Sequence, residues 1–411
     1  MGKLGRPPRL AVLYPWSDLM EKTSGASRRV NLLLDFLNHY DLDVRVLHEG
    51  AESYAFSPRI QVEAVRLGKA PFLRRKFVKM LGRYAGEKHA TINQYLRFHR
   101  ADKNAAFAAK ATDLLCWADA LILKYPFYTK TLTQIRGGRS TPIVLAAHDL
   151  LHEQVSASRW LRESMRRIEF DSFRMADALV AVSEQDATHM REAGLNPVTI
   201  PHPIGRPSCG GRRWDDVARE RNLPFRDKKI CFFVGGDFPP NIDAVMQIRR
   251  IAAAASVRPE LAQVVFVVAG RCAPRETTET LWCLGEVADD ELTALYAAAD
   301  VVICPLRIGT GASLKTIEAF SMGKCVVGTE VAFRGQAVAH GRHCIVENDI
   351  ARYPKILGDL LSDPETRARL SGGAASYAER FDHRSAFTAY WPLLGIRPEP
   401  RSVCAPIADR T

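Results

Sequence analysis

The sequence contains nine cysteines, none of them paired as Cys-x-x-Cys, so a structural zinc site is not expected. Cys116, Cys209, Cys231, Cys272, Cys283, Cys304, Cys325, Cys344 and Cys404 are scattered along the chain. Several lie in apolar runs (ICFFV, VVICPL, KCVVGT), where a free thiol behaves as a small core residue. That usage points to a reducing compartment, the cytoplasm. No apolar run approaches the roughly 20 residues of a membrane-spanning helix. The opening stretch MGKLGRPPRLAVLYPW is basic, but its apolar part is too short for a secretory signal. It reads as a frayed end leading into a strand at Leu10–Tyr14. There is no carboxylate cluster suited to a divalent cation, no short-period repeat and no recognised nucleic-acid motif. No metal site, bound cofactor or nucleic-acid partner is read from these residues.

The 411 residues suffice for two domains with separate cores, and 47% hydrophobic against 25% charged residues is a soluble globular balance. The net charge of +11 is unevenly spread. Between Lys69 and Lys110 the cations Lys69, Arg74, Arg75, Lys76, Lys79, Arg83, Lys88, Arg97, Arg100, Lys103 and Lys110 face only Glu87 and Asp102. Such a segment suits an anionic partner. Within it, Leu73, Phe77, Met80, Leu81 and Tyr84 recur at helical spacing among Arg74, Arg75, Lys76 and Lys79. This predicts a basic amphipathic helix that either lies on an anionic membrane or turns its apolar stripe to the core.

Strand and helix signals alternate along both halves. LAVLYPW, LDVRVLHEG, DALILKYPF, TPIVLAAHD and DALVAVSEQ read as strands, with an amphipathic helix at Ser27–His39. The stretch PHPIGRPSCGGRR breaks the pattern as a linker would. A second series runs from KKICFFVGG through QVVFVVAG, LWCLGEV and DVVICPL to KCVVGTEV. The alternation predicts two parallel sheets, each covered by helices on both faces. The expected division is residues 1–205 and 206–380, then a helix at 381–395 returning to the first domain and a disordered tail at 396–411.

In open parallel sheets ligands sit beyond the carboxyl ends of the strands. After DVVICPL comes GTGASLKTIEAF, where Gly309 and Gly311 permit a tight turn with Thr310 between them. Ala312, Ser313 and Leu314 would present free amides at a helix start, which attracts phosphate. Lys315 is a cation in a first turn, where the helix dipole disfavours it unless an anion is bound. Glu318 lies one turn on and can accept two hydrogen bonds from a vicinal diol such as a ribose. Cation and carboxylate together describe a nucleoside-diphosphate site; the same pair also suits a surface helix with an ion pair. Gly236 in GGDFPPN allows close backbone approach, Asn241 is placed to cap the next helix, and Arg271 in AGR offers a guanidinium to a diphosphate. Val287 is placed to support a base.

The pieces FVGGDFPPNIDAV, VVFVVAGR, LGEVADDELTALYAAADVVICPL, GTGASLKTIEAFSMGKCVVGTEVAFRG and HCIVENDIARYPKILGDLLSDPETRARLS resemble the donor domain of the group-1 glycosyltransferases, glycosyltransferase family 4. They occur in that family's order and spacing over roughly residues 230–385. The resemblance implies that Glu318 binds the ribose and that Gly309–Lys315 hold the diphosphate and sugar. Two departures stand out. Thr310 occupies the position of a frequent second glutamate, and GGDFPPNID lacks the family's common Arg…Lys pair. The phosphates are then left to Lys315, Arg271 and Arg307.

The first half resembles the acceptor domain more loosely. Gly25, within Ser24-Gly25-Ala26, stands where the family has a glycine loop near the donor phosphates, with Arg28 and Arg29 next. His148 stands near a family histidine that touches the sugar; a local structural hydrogen bond is its other reading. Ser183 and Glu184 are candidates for a ligand contact or for helix capping.

The expectation is thus a GT-B fold, two doubly wound Rossmann-like domains facing across a cleft. It would transfer a sugar from a nucleotide-sugar donor to a hydroxyl acceptor, which could be lipid-linked, with retention and without metal. A nucleotide-sugar epimerase and a non-catalytic binding protein of the same fold are the alternatives.

Overall fold

The computed structural model describes residues 6–16, 19–20, 25–65, 80, 82, 86, 89–98, 105–155, 157–201, 203–204, 212–225, 227–309 and 313–401. Two compact units result, one of residues 1–203 with 383–411 and one of 204–382.

The first unit holds strands β1 (Arg9–Tyr14), β2 (Asp43–His48), β3 (Tyr54–Ser57), β4 (Ile60–Ala64), β5 (Ala120–Lys124), β6 (Ile143–Ala147), β7 (Ala178–Ala181) and β8 (Val198–Thr199). Their order is β3-β4-β2-β1-β5-β6-β7-β8, parallel except for the antiparallel pair β3/β4. β1, β5 and β6 are near-continuous apolar runs because helices cover both faces, and Leu10–Leu13, Ala120–Leu123 and Ile143–Ala146 are fully buried. Helix Gly25–Leu37 buries Val30, Leu33, Leu34, Phe36 and Leu37. The chain passes from β1 to β2 on one side and returns to β5 on the other. The topological switch point therefore lies between β1 and β5.

The second unit holds β9 (Lys229–Val234), β10 (Val264–Ala269), β11 (Glu276–Thr277), β12 (Leu281–Gly285), β13 (Val301–Cys304), β14 (Val326–Gly328) and β15 (Ile345–Val346). They lie in the order β11-β12-β10-β9-β13-β14-β15, with only β11/β12 antiparallel. Here the switch point falls between β9 and β13. Cys231, Cys283, Cys304, Cys325 and Cys344 are buried free thiols in this core.

Two expectations need correction. Instead of one returning helix at 381–395, two short helices, His383–Thr388 and Tyr390–Leu394, belong to the first unit. Phe387 and Trp391 each pack on Phe36 with ring centroids 5.4 Å apart. Residues 396–401 are not disordered. Asp41 N–H donates to the Glu399 carbonyl and Arg401 N–H to that of His39, both at 2.8 Å, and Ile396 is buried. The prolines and charges of this segment suggested disorder, but a partner backbone remote in sequence takes up its polar groups. Residues 402–411 lie outside the described residues.

Among the described residues, no helix is long and apolar enough to cross a membrane.

Candidate functional site

At the second switch point three strand ends are knitted by backbone. Gly235 N–H donates to the Ala269 carbonyl (3.0 Å), Cys272 N–H to that of Gly235 (3.2 Å) and Gly270 N–H to that of Gly285 (2.6 Å). Gly270 has φ +95°, and a Cβ there would stand 2.1 Å from the Gly235 carbonyl oxygen. Only glycine permits both the conformation and the approach. Gly236 is exposed beyond β9. Asn241 does not cap the helix Pro239–Ala255. It sits in the first turn, and its side-chain amide donates to the Gly236 carbonyl at 3.0 Å, bracing the glycine loop.

Arg271 is exposed beyond the end of β10 and has no ion-pair or hydrogen-bond partner among the described residues. Arg307 is committed elsewhere. Its guanidinium grips Asp243 through two contacts, Nε donating at 3.0 Å, which holds the Asp243 carboxyl below its ordinary range. Of the three cations expected at the phosphates, that leaves Arg271 and Lys315 available among the described residues.

Gly309 follows β13, and its carbonyl accepts from Arg334 at 3.2 Å. Thr310, Gly311 and Ala312 lie outside the described residues. Ser313 opens the helix Leu314–Ser321 without a side-chain cap; its carbonyl accepts from Gln336 (2.9 Å) and Thr316 (3.0 Å). Leu314 is the first helical residue, and Lys315 follows it half-buried, with Nζ 5.8 Å from the Phe233 ring centroid. Burial lowers the Lys315 pKa, opposed by Cys304, Glu318 and Cys272 nearby. Glu318 is half-buried one turn on, and Tyr296 directs its hydroxyl at Glu318 Oε2 (3.4 Å) and the Lys315 carbonyl (3.5 Å). Tyr296 was not anticipated as a site residue. Its signal is the LYAAAD run, whose apolar face puts the Tyr296 ring against Phe232 at 5.1 Å. Val287 is half-buried against the core, and the Ala288 N–H beside it is satisfied by Glu291 (3.1 Å).

In the first unit, Gly25 opens helix Gly25–Leu37, which also carries Arg29. His148 follows β6, buried at 3% exposure, and its Nδ1 accepts from Arg29 at 3.0 Å. The Tyr125 ring lies 4.9 Å from that of His148, and Tyr125 has φ +68°, a conformation that non-glycine residues adopt at a cost of about 1–3 kcal/mol. Below them Lys124, the last residue of β5, is 2% exposed and touches Tyr390 Oη at 3.5 Å. Burial, with Arg29 beside it, lowers the Lys124 pKa to about 7. The loop after His148 is held from beneath by Glu169, which is fully buried. It accepts from Leu151 N–H (2.8 Å), His152 N–H (3.2 Å) and His152 Nδ1 (2.7 Å).

Lys124, Glu169 and Tyr125 were not foreseen, because in sequence they read as strand and helix positions. Ser183 caps the helix Glu184–Glu192, and Glu184 is taken up by Thr199 (2.7 Å) and Arg191 (2.5 Å). Arg74, Arg75, Lys76 and Lys79 lie outside the described residues.

Comparison with known proteins accords with this geometry. Residues 228–363 match the model of the glycosyl transferases group 1, and residues 24–202 that of the glycosyl transferase 4-like domain. The chain belongs to the group 1 glycosyltransferase family. It is 31% identical over 245 residues to the D-inositol 3-phosphate glycosyltransferase of Streptomyces scabiei, covering 53% of each chain. The chain thus spans about half the length of the curated relatives it matches. Among solved structures, the sucrose-phosphate synthase of Thermosynechococcus elongatus is similar with a TM-score of 0.67 at 15% identity, over 94% of this chain and 98% of that one. Anabaena HepE in complex with UDP-glucose is similar with a TM-score of 0.64 at 16% identity, over 94% and 99% of the two chains. These likenesses establish the two-domain Rossmann-like GT-B fold.

Proposed function

We propose that the protein transfers a sugar from a nucleotide-diphosphate sugar to a hydroxyl acceptor, retaining configuration and using no metal. The observation that carries this is the placing of Lys315 and Glu318 on one helix start at the second switch point, with Arg271 unengaged at the neighbouring strand end. Lys315 and the first amides of its helix would stabilise charge gathering on the departing diphosphate, and Glu318 would hold the ribose. His148 is assigned to the sugar by family resemblance. A likeness to a UDP-glucose complex and to inositol-phosphate glycosyltransferases supports a nucleotide-sugar donor.

A thermal-shift screen of nucleoside diphosphates and their sugars tests the reading, since a ligand selective for the native state raises the melting temperature. One nucleotide series is expected to stabilise the protein, and release of its diphosphate is expected only when a hydroxyl acceptor is added. Release of an altered nucleotide sugar without acceptor would identify an epimerase instead. Binding without turnover against a broad acceptor extract would favour a non-catalytic role.

We also assign the protein to glycolipid or surface-polysaccharide synthesis at the inner face of a membrane. The charge of the segment around Arg74–Lys79 supports this. So does the helix Arg159–Arg174, where Trp160 (63% exposed) rims a surface cavity of about 520 Å³ lined by Arg166, Arg167 and Arg174, with Glu163 as its acid. Co-sedimentation with anionic vesicles at low salt is expected and should vanish with charge reversal at Arg74, Arg75 and Lys79. Equal binding to neutral vesicles would overturn the electrostatic assignment.

A further inference from the structure

The contact between Arg29 and His148 restricts what the histidine can do. Arg29 Nη1 and His148 Nδ1 are 3.0 Å apart, with both side chains buried, at 9% and 3% exposure. A guanidinium has N–H donors only and stays protonated in proteins. Nδ1 must therefore be the acceptor and carries no proton, which places the single proton of a neutral imidazole on Nε2.

The surroundings oppose a second proton. Burial, then Lys124 at the end of β5, then Arg29 on its helix hold the His148 pKa well below its ordinary value. Around the pair stand Tyr125 after β5, Tyr14 at the end of β1 and Asp149 in the His148 loop, all acting on Arg29. Tyr390 lies against Lys124 from the carboxyl-terminal segment. An imidazolium here would face two cations in a dry setting.

We propose that Arg29 is a positioning residue that fixes His148 as a neutral imidazole with its proton on Nε2, so that His148 serves the reaction as a hydrogen-bond donor to a sugar oxygen and not as a proton acceptor. The tautomer follows from the Arg29 contact alone; the sugar contact rests on the donor reading given above.

The test uses the full-length protein labelled with ¹⁵N-histidine, the His148 signals being those lost in H148Q. The wild type is expected to show an unprotonated Nδ1 and a protonated Nε2, unchanged between pH 5.5 and pH 8. R29K, which keeps a donor, should retain this pattern. R29M, which has none, should show a protonated Nδ1 population or a titrating ring. A wild-type His148 that is protonated on Nδ1, or that titrates in this range, overturns the proposal even should R29M fail to fold. An unchanged tautomer in folded R29M overturns it as well.

Calorimetry separates the positioning claim from the donor reading. R29M should weaken binding of the nucleotide sugar found in the screen by roughly tenfold while binding its nucleoside diphosphate as the wild type does. Equal losses for both ligands, or none for either, refute the positioning role. Absence of nucleotide binding in the wild type refutes the donor reading and leaves the tautomer result standing.

Discussion

Lys315→Met is expected to cut turnover of the nucleotide-sugar donor by about 10²–10³-fold, the usual loss when one preorganised group facing developing charge is removed. Lys315 sits where helix dipole and burial both disfavour a cation, and no carboxylate is in ion-pair contact with it among the described residues. On the function proposed above, its charge would serve an anion brought by the donor. Glu318→Ala acts on binding more than on chemistry. Losing hydrogen bonds to an ionised carboxylate costs about 1.5–3 kcal/mol, so nucleoside-diphosphate affinity should fall roughly 10- to 100-fold. Tyr296→Phe, which removes only a hydroxyl at 3.4 Å from Glu318, should have a smaller effect in the same direction. Calorimetry and released-diphosphate assays read all three. Wild-type affinity in Glu318→Ala together with wild-type turnover in Lys315→Met would remove the basis for the donor site.

Lys124→Met should stabilise the protein at neutral pH. The Lys124 ammonium is buried with no counter-ion among the described residues, and its pKa falls from an ordinary 10.5 to about 7. Between those values the unfolded chain holds a proton that the folded chain has released. Stability from this group is therefore complete above the unfolded pKa and is lost as pH falls toward the folded one. At about 1.4 kcal/mol per pKa unit the penalty near pH 7 is on the order of 4 kcal/mol. Methionine fills similar space and carries no charge. Denaturant unfolding across pH should show the variant more stable at pH 6–7, with the gain shrinking toward pH 10. A gain independent of pH, or none, would show that Lys124 is not held as a buried amine.

Much of the second unit was legible in its residues. KICFFV, VVFVVA and VVIC are unbroken apolar runs because a doubly covered parallel strand has no polar face, and the glycines after them mark close backbone approaches. Gly270 shows this directly, with the Gly235 carbonyl in the space a Cβ would need. The cation–carboxylate spacing of Lys315 and Glu318 could be read as well, since three residues on a helix fix their relation.

Arg307 could not be sorted from Arg271 in this way, because the choice depends on Asp243, more than sixty positions away. The first unit hid more. Lys124 looked like the polar end of a strand, yet it is buried under Tyr390, a contact spanning 266 positions.

By itself the sequence determined the alternating strands and helices, the two-unit division, the glycine turns and the charged pair at the start of one helix. These depend on local spacing, on apolar periodicity and on backbone sterics, which act over a few residues. The tertiary structure decided which cations are engaged, which carboxylate braces which loop, the burial of His148 against Arg29 and the ordering of residues 396–401. Those properties depend on burial and on partners far apart along the chain, and only the packed fold brings such partners within hydrogen-bonding distance.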